Sequence, residues 1–182
     1  MIKKILLALG ALLILVIAGV AILAFVAPTD FKVEREVTIN KPKAEVFDYL
    51  KNIKKQSEWG PWFKKEPTMK QDFRGTDGEA GFVAYWNGTT DDVGEGEQEI
   101  KRIVEGERID TELRFKRPFE SKADAYLITE PVAENQTKVK WGFNSSMPRP
   151  TNLMLLFIDM DKEIGKDYDE GLATLKSTLE KS

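Results

Sequence analysis

From Ile5 to Ala27 the chain runs for 23 residues without a charge. As an α-helix rising 1.5 Å per residue, this stretch spans roughly 34 Å, enough to cross a hydrocarbon core about 30 Å thick. It predicts a transmembrane anchor over residues 1–27. A cleaved signal peptide and a buried helix are the rival readings. Lys3 and Lys4 suit the n-region of a signal, but the cleavage positions read poorly. Ala27 has Phe25 at −3 and Pro28 after it, and Ala24 has Ile22 at −3, where small residues are needed. Lys3 and Lys4 precede the span, while Asp30, Lys32, Glu34 and Arg35 follow it. The positive-inside rule then keeps the N-terminus cytoplasmic and puts the rest on the outer side, periplasmic or extracellular, as a single-pass protein. Gly10 and Gly19 are too far apart for a G-x-x-x-G pair.

Setting the anchor aside changes what the composition means. Of the first 27 residues 23 are apolar; the other 155 carry 25 basic and 30 acidic groups, net −5. The chain has no Cys and no His. That excludes disulfides, thiolate nucleophiles, Ser-His-Asp relays and the usual zinc sites, so no metal and no cofactor is expected. An acidic domain also lacks the clustered basic surface that nucleic acid requires.

Pro28-Thr29-Asp30 breaks the helix and reads as a linker (28–30) to a domain over 31–182. Phe31 to Asn40 alternates as a half-buried strand, with Val33, Val37 and Ile39 on one parity. Pro42 suits a first helical turn, and Val46, Phe47, Leu50 and Ile53 form an apolar stripe behind it. Trp59-Gly60-Pro61-Trp62 follows as an aromatic turn. Six strand-type runs then alternate with turn signals: 69–74, 81–86, 97–104, 108–115, 122–128 and 137–144. No crossover helix fits between them, so the sheet should be antiparallel. After Pro150, Leu153, Phe157, Met160, Ile164, Tyr168, Leu172, Leu175 and Leu179 recur at helical spacing as one stripe. Gly165 and Gly171 interrupt this helix and predict a kink or a close approach to the sheet. The expected fold is α+β: a curved antiparallel sheet of about seven strands around a long C-terminal helix, behind one transmembrane helix.

A set of motifs is spread over this domain: Lys41-Pro42 with Val46-Phe47, Trp59 to Trp62, Pro67 to Lys70, and Tyr85 to Gly88. It continues through Gly94-Glu95-Gly96, Leu113 to Phe119, Thr137 to Trp141, Phe157 to Met160 and Gly171 to Lys176. As a set these residues resemble the SRPBCC (START-like, helix-grip) superfamily, and within it the membrane-anchored, bacterial polyketide cyclase/dehydrase-like branch. The resemblance implies a hydrophobic cavity and a lipid-like or polycyclic ligand. It implies no single reaction, since one fold hosts many functions.

Strand parity points Phe82, Trp86, Leu113, Phe115 and Trp141 toward the terminal helix, and Phe157 lies on the helical stripe. With Trp59 and Trp62 on the aromatic turn, these are the candidate ligand-binding residues. A solid core is the alternative use of the first six. The two turn indoles either gate access, touch lipid headgroups or cap the core. Without His, acid–base work would fall to Tyr85, Tyr126, Asp159 or Asp161, and Gln98 or Arg102 could point inward; none of these forms a spaced catalytic signature. Lys51, Lys54, Lys55, Lys64 and Lys65 read either as a membrane-facing patch or as a solvated face. The expected function is a membrane-tethered module that binds a hydrophobic small molecule or lipid without turning it over. A cyclase/dehydrase-like enzyme using Tyr or Asp/Glu, and a solid-core interaction or stress-response domain, are the alternatives. A mostly apolar cavity above about 300 Å³ favours binding.

Overall fold

A computed structural model describes residues 2–181; Met1 and Ser182, at the outer ends of the anchor and domain readings, lie outside the described residues. The chain forms two compact units. The smaller contains residues up to 31 together with 146–159, and the larger contains 32–145 and the residues from 160 on.

In the smaller unit, α1 (Ile2–Val26) is one helix of 25 residues, long and apolar enough to cross a membrane. Its side chains are exposed except Ala24. The returning segment 146–159 contributes a short 3₁₀ helix, Thr151–Leu156.

The larger unit is built on an open seven-stranded antiparallel sheet in the order β1-β7-β6-β5-β4-β3-β2. Its strands are β1 (Asp30–Ile39), β2 (Lys70–Arg74), β3 (Val83–Asn87), β4 (Glu95–Val104), β5 (Arg108–Arg117), β6 (Ser121–Ala133) and β7 (Gln136–Ser146). Strands β2 to β7 are an antiparallel meander, and β1 closes against β7. Register shifts in β4, between Glu95 and Gly96 and between Ile100 and Arg102, are the irregularities that bend and twist a strand. Between β1 and β2 the chain makes α2 (Lys43–Leu50), a 3₁₀ turn, α3 (Gln56–Trp59) and α4 (Pro61–Lys65). The aromatic turn of the sequence is thus two short helices meeting at Gly60, with Pro61 at the first position of the second.

The long helix α5 is shorter than its stripe. It runs Met160–Lys181, and the residues before it form the 3₁₀ helix with Phe157 as its C-cap. Periodicity alone does not separate the two, because 3₁₀ and α spacing coincide over a single turn. On α5, Tyr168, Leu172, Leu175 and Leu179 are buried, with Val33, Ile39, Phe47, Leu50, Ile109 and Val139 in the same unit's core. Both helical glycines mark close approaches. A Cβ on Gly171 would lie 2.8 Å from the Trp141 ring, and one on Gly165 would strike the Arg35 guanidinium.

Candidate functional site

The cross-strand registers put complete rows of side chains on the concave face. One row is Trp86, Gly96 and Phe115, from β3, β4 and β5. The next is Ala84, Gln98, Leu113 and Ala123, and a third brings together Thr111, Ala125 and Phe143. Small residues recur in all three rows. Gly96 is small because Trp86 lies over it: a Cβ there would meet the indole at 2.6 Å. With no side chain beneath, Trp86 turns edge-on to Phe115 at 5.8 Å and donates its Nε1–H to the Val93 carbonyl at 3.1 Å.

Above these rows lies a cavity of about 350 Å³. Its wall is mostly aromatic and aliphatic: Trp62, Phe63, Met69, Phe73, Trp86, Leu113, Phe115, Trp141, Phe143 and Ile164. The polar members are Gln56, Gln71, Gln98, Asp91, Asp92, Arg117, Asp167 and the tyrosines Tyr85 and Tyr168. Asp91, Asp92, Gln71 and Pro118 both line the space and face solvent, so they mark its open side. Glu66 positions that rim: its buried carboxylate accepts the Thr89 backbone N–H at 2.8 and 3.0 Å. Those bonds hold the Glu66 carboxyl below its ordinary value against the opposing effect of burial. Arg117 ties the same loop to β5, donating to Asn87 Oδ1 at 2.9 Å and to the Gly88 carbonyl at 2.6 Å.

Several polar groups of the wall are already occupied. Gln98 Nε2 donates to Thr111 Oγ1 at 3.3 Å, Tyr85 donates to Glu95 at 2.9 Å, and Asp167 pairs with Lys65 at 2.8 Å. Tyr168 differs, because no described residue hydrogen-bonds its hydroxyl. Burial holds that phenol well above its ordinary value, so at neutral pH it is a proton donor and not a base. Gln56 Nε2 is also buried without a partner among the described residues.

Of the eight sequence candidates, Trp62, Trp86, Leu113, Phe115 and Trp141 come together in the wall. Trp59 and Phe82 are fully buried and do not line it. Trp59 meets Trp141 edge-on at 4.9 Å, and Phe82 stacks on Phe73 at 6.0 Å. Phe157 belongs to the smaller unit, where it caps the 3₁₀ helix and is 85% exposed instead of packed. Among the acid–base candidates, Tyr126 donates to Glu34 and Asp161 is bound by Arg35 at 2.8 Å, and neither lines the cavity. Arg102 turns outward onto Asp110 at 2.9 Å, past the register shift that follows Ile100. The five lysines form no bare patch. Lys51, Lys64 and Lys65 pair with acids, and Lys54 and Lys55 lie over the rings of Phe73 and Tyr49. Sequence reasoning missed Gln56, Phe63 and Tyr168 as wall residues. Tyr168 was visible on the helical stripe, but a stripe does not say whether its partner is a side chain or empty space.

Residues 30–180 match the family model described as polyketide cyclase / dehydrase and lipid transport. No curated protein matches the sequence. Among solved structures, a protein from Thermobifida fusca is 19% identical with a TM-score of 0.59, covering 80% of this chain and 90% of that one. Ara h 8.0201 is 15% identical at TM-score 0.56, covering 84% of this chain and 99% of its own. DynU16, from the dynemicin biosynthetic locus, is 13% identical at TM-score 0.54, covering 82% of this chain and 47% of its own. At these identities the structures show a shared helix-grip fold. The family match spans most of the chain, and the chain belongs to the SRPBCC polyketide cyclase/dehydrase and lipid-transport family.

Proposed function

We propose that the domain binds a hydrophobic small molecule or lipid in the cavity over β3–β5, tethered to a membrane by α1 with the domain on the outer side. The cavity carries this reading: about 350 Å³, mostly apolar, with an open rim, which is the form small-molecule sites take. The family description, which couples cyclase/dehydrase proteins with lipid transport, supports the same ligand class. Trp62, Trp86, Leu113, Phe115 and Trp141 supply the contact area. The test fills the space without touching the packed core. Ala84 lies on β3 in the wall, and Ala84→Leu adds bulk into the cavity. Titration of the full chain with a fluorescent fatty acid should show at least about a tenfold loss of affinity in the variant, equal to roughly 1.4 kcal/mol. Its unfolding midpoint should stay within a degree or two of the parent, on the order of a few tenths of a kcal/mol. Equal affinity in the filled variant would sink the proposal.

One observation favours a second reading, a cyclase-like enzyme. The Tyr168 hydroxyl belongs to the cavity wall, is held protonated, and has no described protein acceptor. It can donate to a ligand carbonyl. Tyr168→Phe keeps the ring, so on the binding reading affinity changes by no more than about tenfold, the worth of one hydrogen bond. An enzyme using this donor would keep its substrate affinity and lose turnover.

A further inference from the structure

We propose that the segment 151–158 is a second membrane contact, an interfacial foot that lies in the headgroup region beside the C-terminal end of α1. The inference rests on the reading of α1 as an anchor and adds to it a surface the anchor does not need.

Two observations within the smaller unit converge on it. The first is how α1 ends. Asn152 is fully buried, and its Nδ2 donates to the carbonyls of Ala24, Ala27 and Pro28 at 2.8, 3.2 and 3.3 Å. Arg149 adds Nε to the Ala24 carbonyl at 3.1 Å and Nη2 to that of Phe25 at 3.2 Å, with its guanidinium over the Phe25 ring. In water the last carbonyls of a helix are solvated freely, and burying an amide to reach them gains little. Where water is scarce every open carbonyl is costly, and donors from elsewhere in the chain become necessary. Asn152 and Arg149 supply such donors, although the Asn152 Oδ1 itself is buried with no partner among the described residues.

The second observation is what the cap holds beside it. Phe25, Val26, Met154, Leu156, Phe157 and Ile158 are all exposed, with Phe157 at 85% and Val26 at 76%. An exposed apolar cluster continuous with a candidate transmembrane helix is covered most simply by the same bilayer. A 25-residue helix spans roughly 37 Å against a core of about 30 Å, which brings its last turn, and whatever is bonded to it, to the interface. Aromatic and aliphatic side chains seated there bury their apolar parts at the headgroup–acyl boundary.

The chain has no native cysteine, so single-cysteine variants of the full chain can carry a nitroxide without a background signal. Ile14→Cys, Phe157→Cys and Ser57→Cys, reconstituted in phosphatidylcholine–phosphatidylglycerol vesicles, are compared by their accessibility to oxygen and to a water-soluble nickel chelate. The expected result is lipid exposure at 14 and 157 and water exposure at 57, with position 157 roughly 5–10 Å into the boundary. Lipid exposure at 14 with water at 157 would overturn the foot and leave the anchor standing. Water at 14 would overturn the anchor and the foot with it. Shielding of 157 from both reagents would show protein covering this face and would also overturn the foot. In the Phe157→Cys background, Asn152→Leu should release the label toward water; unchanged lipid exposure would overturn the role given to Asn152.

Discussion

The space between sheet and terminal helix is filled at the β7 end and empty over β3–β5, although both lie on the same concave face. At β7, Trp141 stacks on Tyr168 with ring centroids 3.9 Å apart and planes 12° apart, while Trp59 and Trp62 close on Trp141 edge-on at 4.9 and 5.8 Å. Gly171 lets α5 come down onto this cluster. Over β3–β5 the cavity wall carries the small Ala84, and Ala125 beside it, between its large members, and Trp86 and Phe115 stand half-buried around vacant volume. The two regions differ less in hydrophobicity than in residue size. The cavity is made where Ala84 and Ala125 stand in for larger side chains, and the packed aromatic end holds the helix above it.

The largest effect expected from this difference is an asymmetry between two aromatic truncations. Trp141→Ala removes the centre of a four-ring cluster and should cost about 3–5 kcal/mol, the range for buried Trp or Phe truncation. Phe115→Ala removes a ring that already borders empty space and should cost only about 1 kcal/mol, a fraction of full burial, while weakening ligand binding. Urea unfolding of the two variants checks this. Equal costs would mean that the cavity is closed by packing in solution and would break the comparison.

A smaller effect separates the two regions by acid. With little aromatic packing above them, β4 and β5 are joined on the outer face by Arg114, which bonds Glu99 and Glu112 at 2.6 Å and Glu97 at 3.1 Å. Arg114 holds the Glu99 and Glu112 carboxyls below their ordinary 4.5. Burial pushes Glu97 up, but its bonds to Arg114, Arg74 and Lys116 outweigh this and leave it low as well. Depressed carboxyls stabilise the fold fully above their unfolded value, and that contribution is lost as pH falls through their folded values. Native-state hydrogen exchange should therefore show β4–β5 amides losing protection below about pH 4.5 before those of β7, which carries no carboxyl of its own. The contribution should be roughly 1–2 kcal/mol, since these side chains are only partly exposed. Arg114→Gln should flatten this limb. Simultaneous loss at both ends would show that the open half has no separate stability.

Much of the architecture could be read from the chain. Alternation in β5 and β7, the stripe Ile164–Tyr168–Leu172–Leu175–Leu179 and the turn glycines depend on local periodicity, which the sequence carries directly. The site was legible only where parity applied, as at Trp86, Leu113, Phe115 and Trp141. What escaped was size and partner. Ala84 and Ala125 are inconspicuous in a sequence, yet their inward parity is the signal of a void. Trp59 and Trp62, three residues apart, look equivalent. The break at Gly60 sends the first wholly into the core and leaves the second half-buried against the cavity. Phe157 fell on the stripe because one turn of 3₁₀ helix imitates α spacing. A long-range contact decides each of these, and periodicity holds no record of it.

Gln56 stands where the two regions meet and gives the smallest, most discriminating effect. It begins α3, one turn before Trp59 of the packed cluster, and it also lines the cavity. Its Nε2 is buried with no partner among the described residues, and a buried donor left open costs about 1–3 kcal/mol. Gln56→Met keeps the length of the side chain and removes the open donor, so the ligand-free protein should gain about 1 kcal/mol in urea unfolding, the lower end of that penalty. Fatty-acid affinity separates the two sides of the residue. Unchanged affinity places Gln56 with the packed end, where its amide is a flaw of the core. An affinity loss of about tenfold, or roughly 1.4 kcal/mol, places it with the open end, as the group that meets a polar atom of the ligand when the cavity fills.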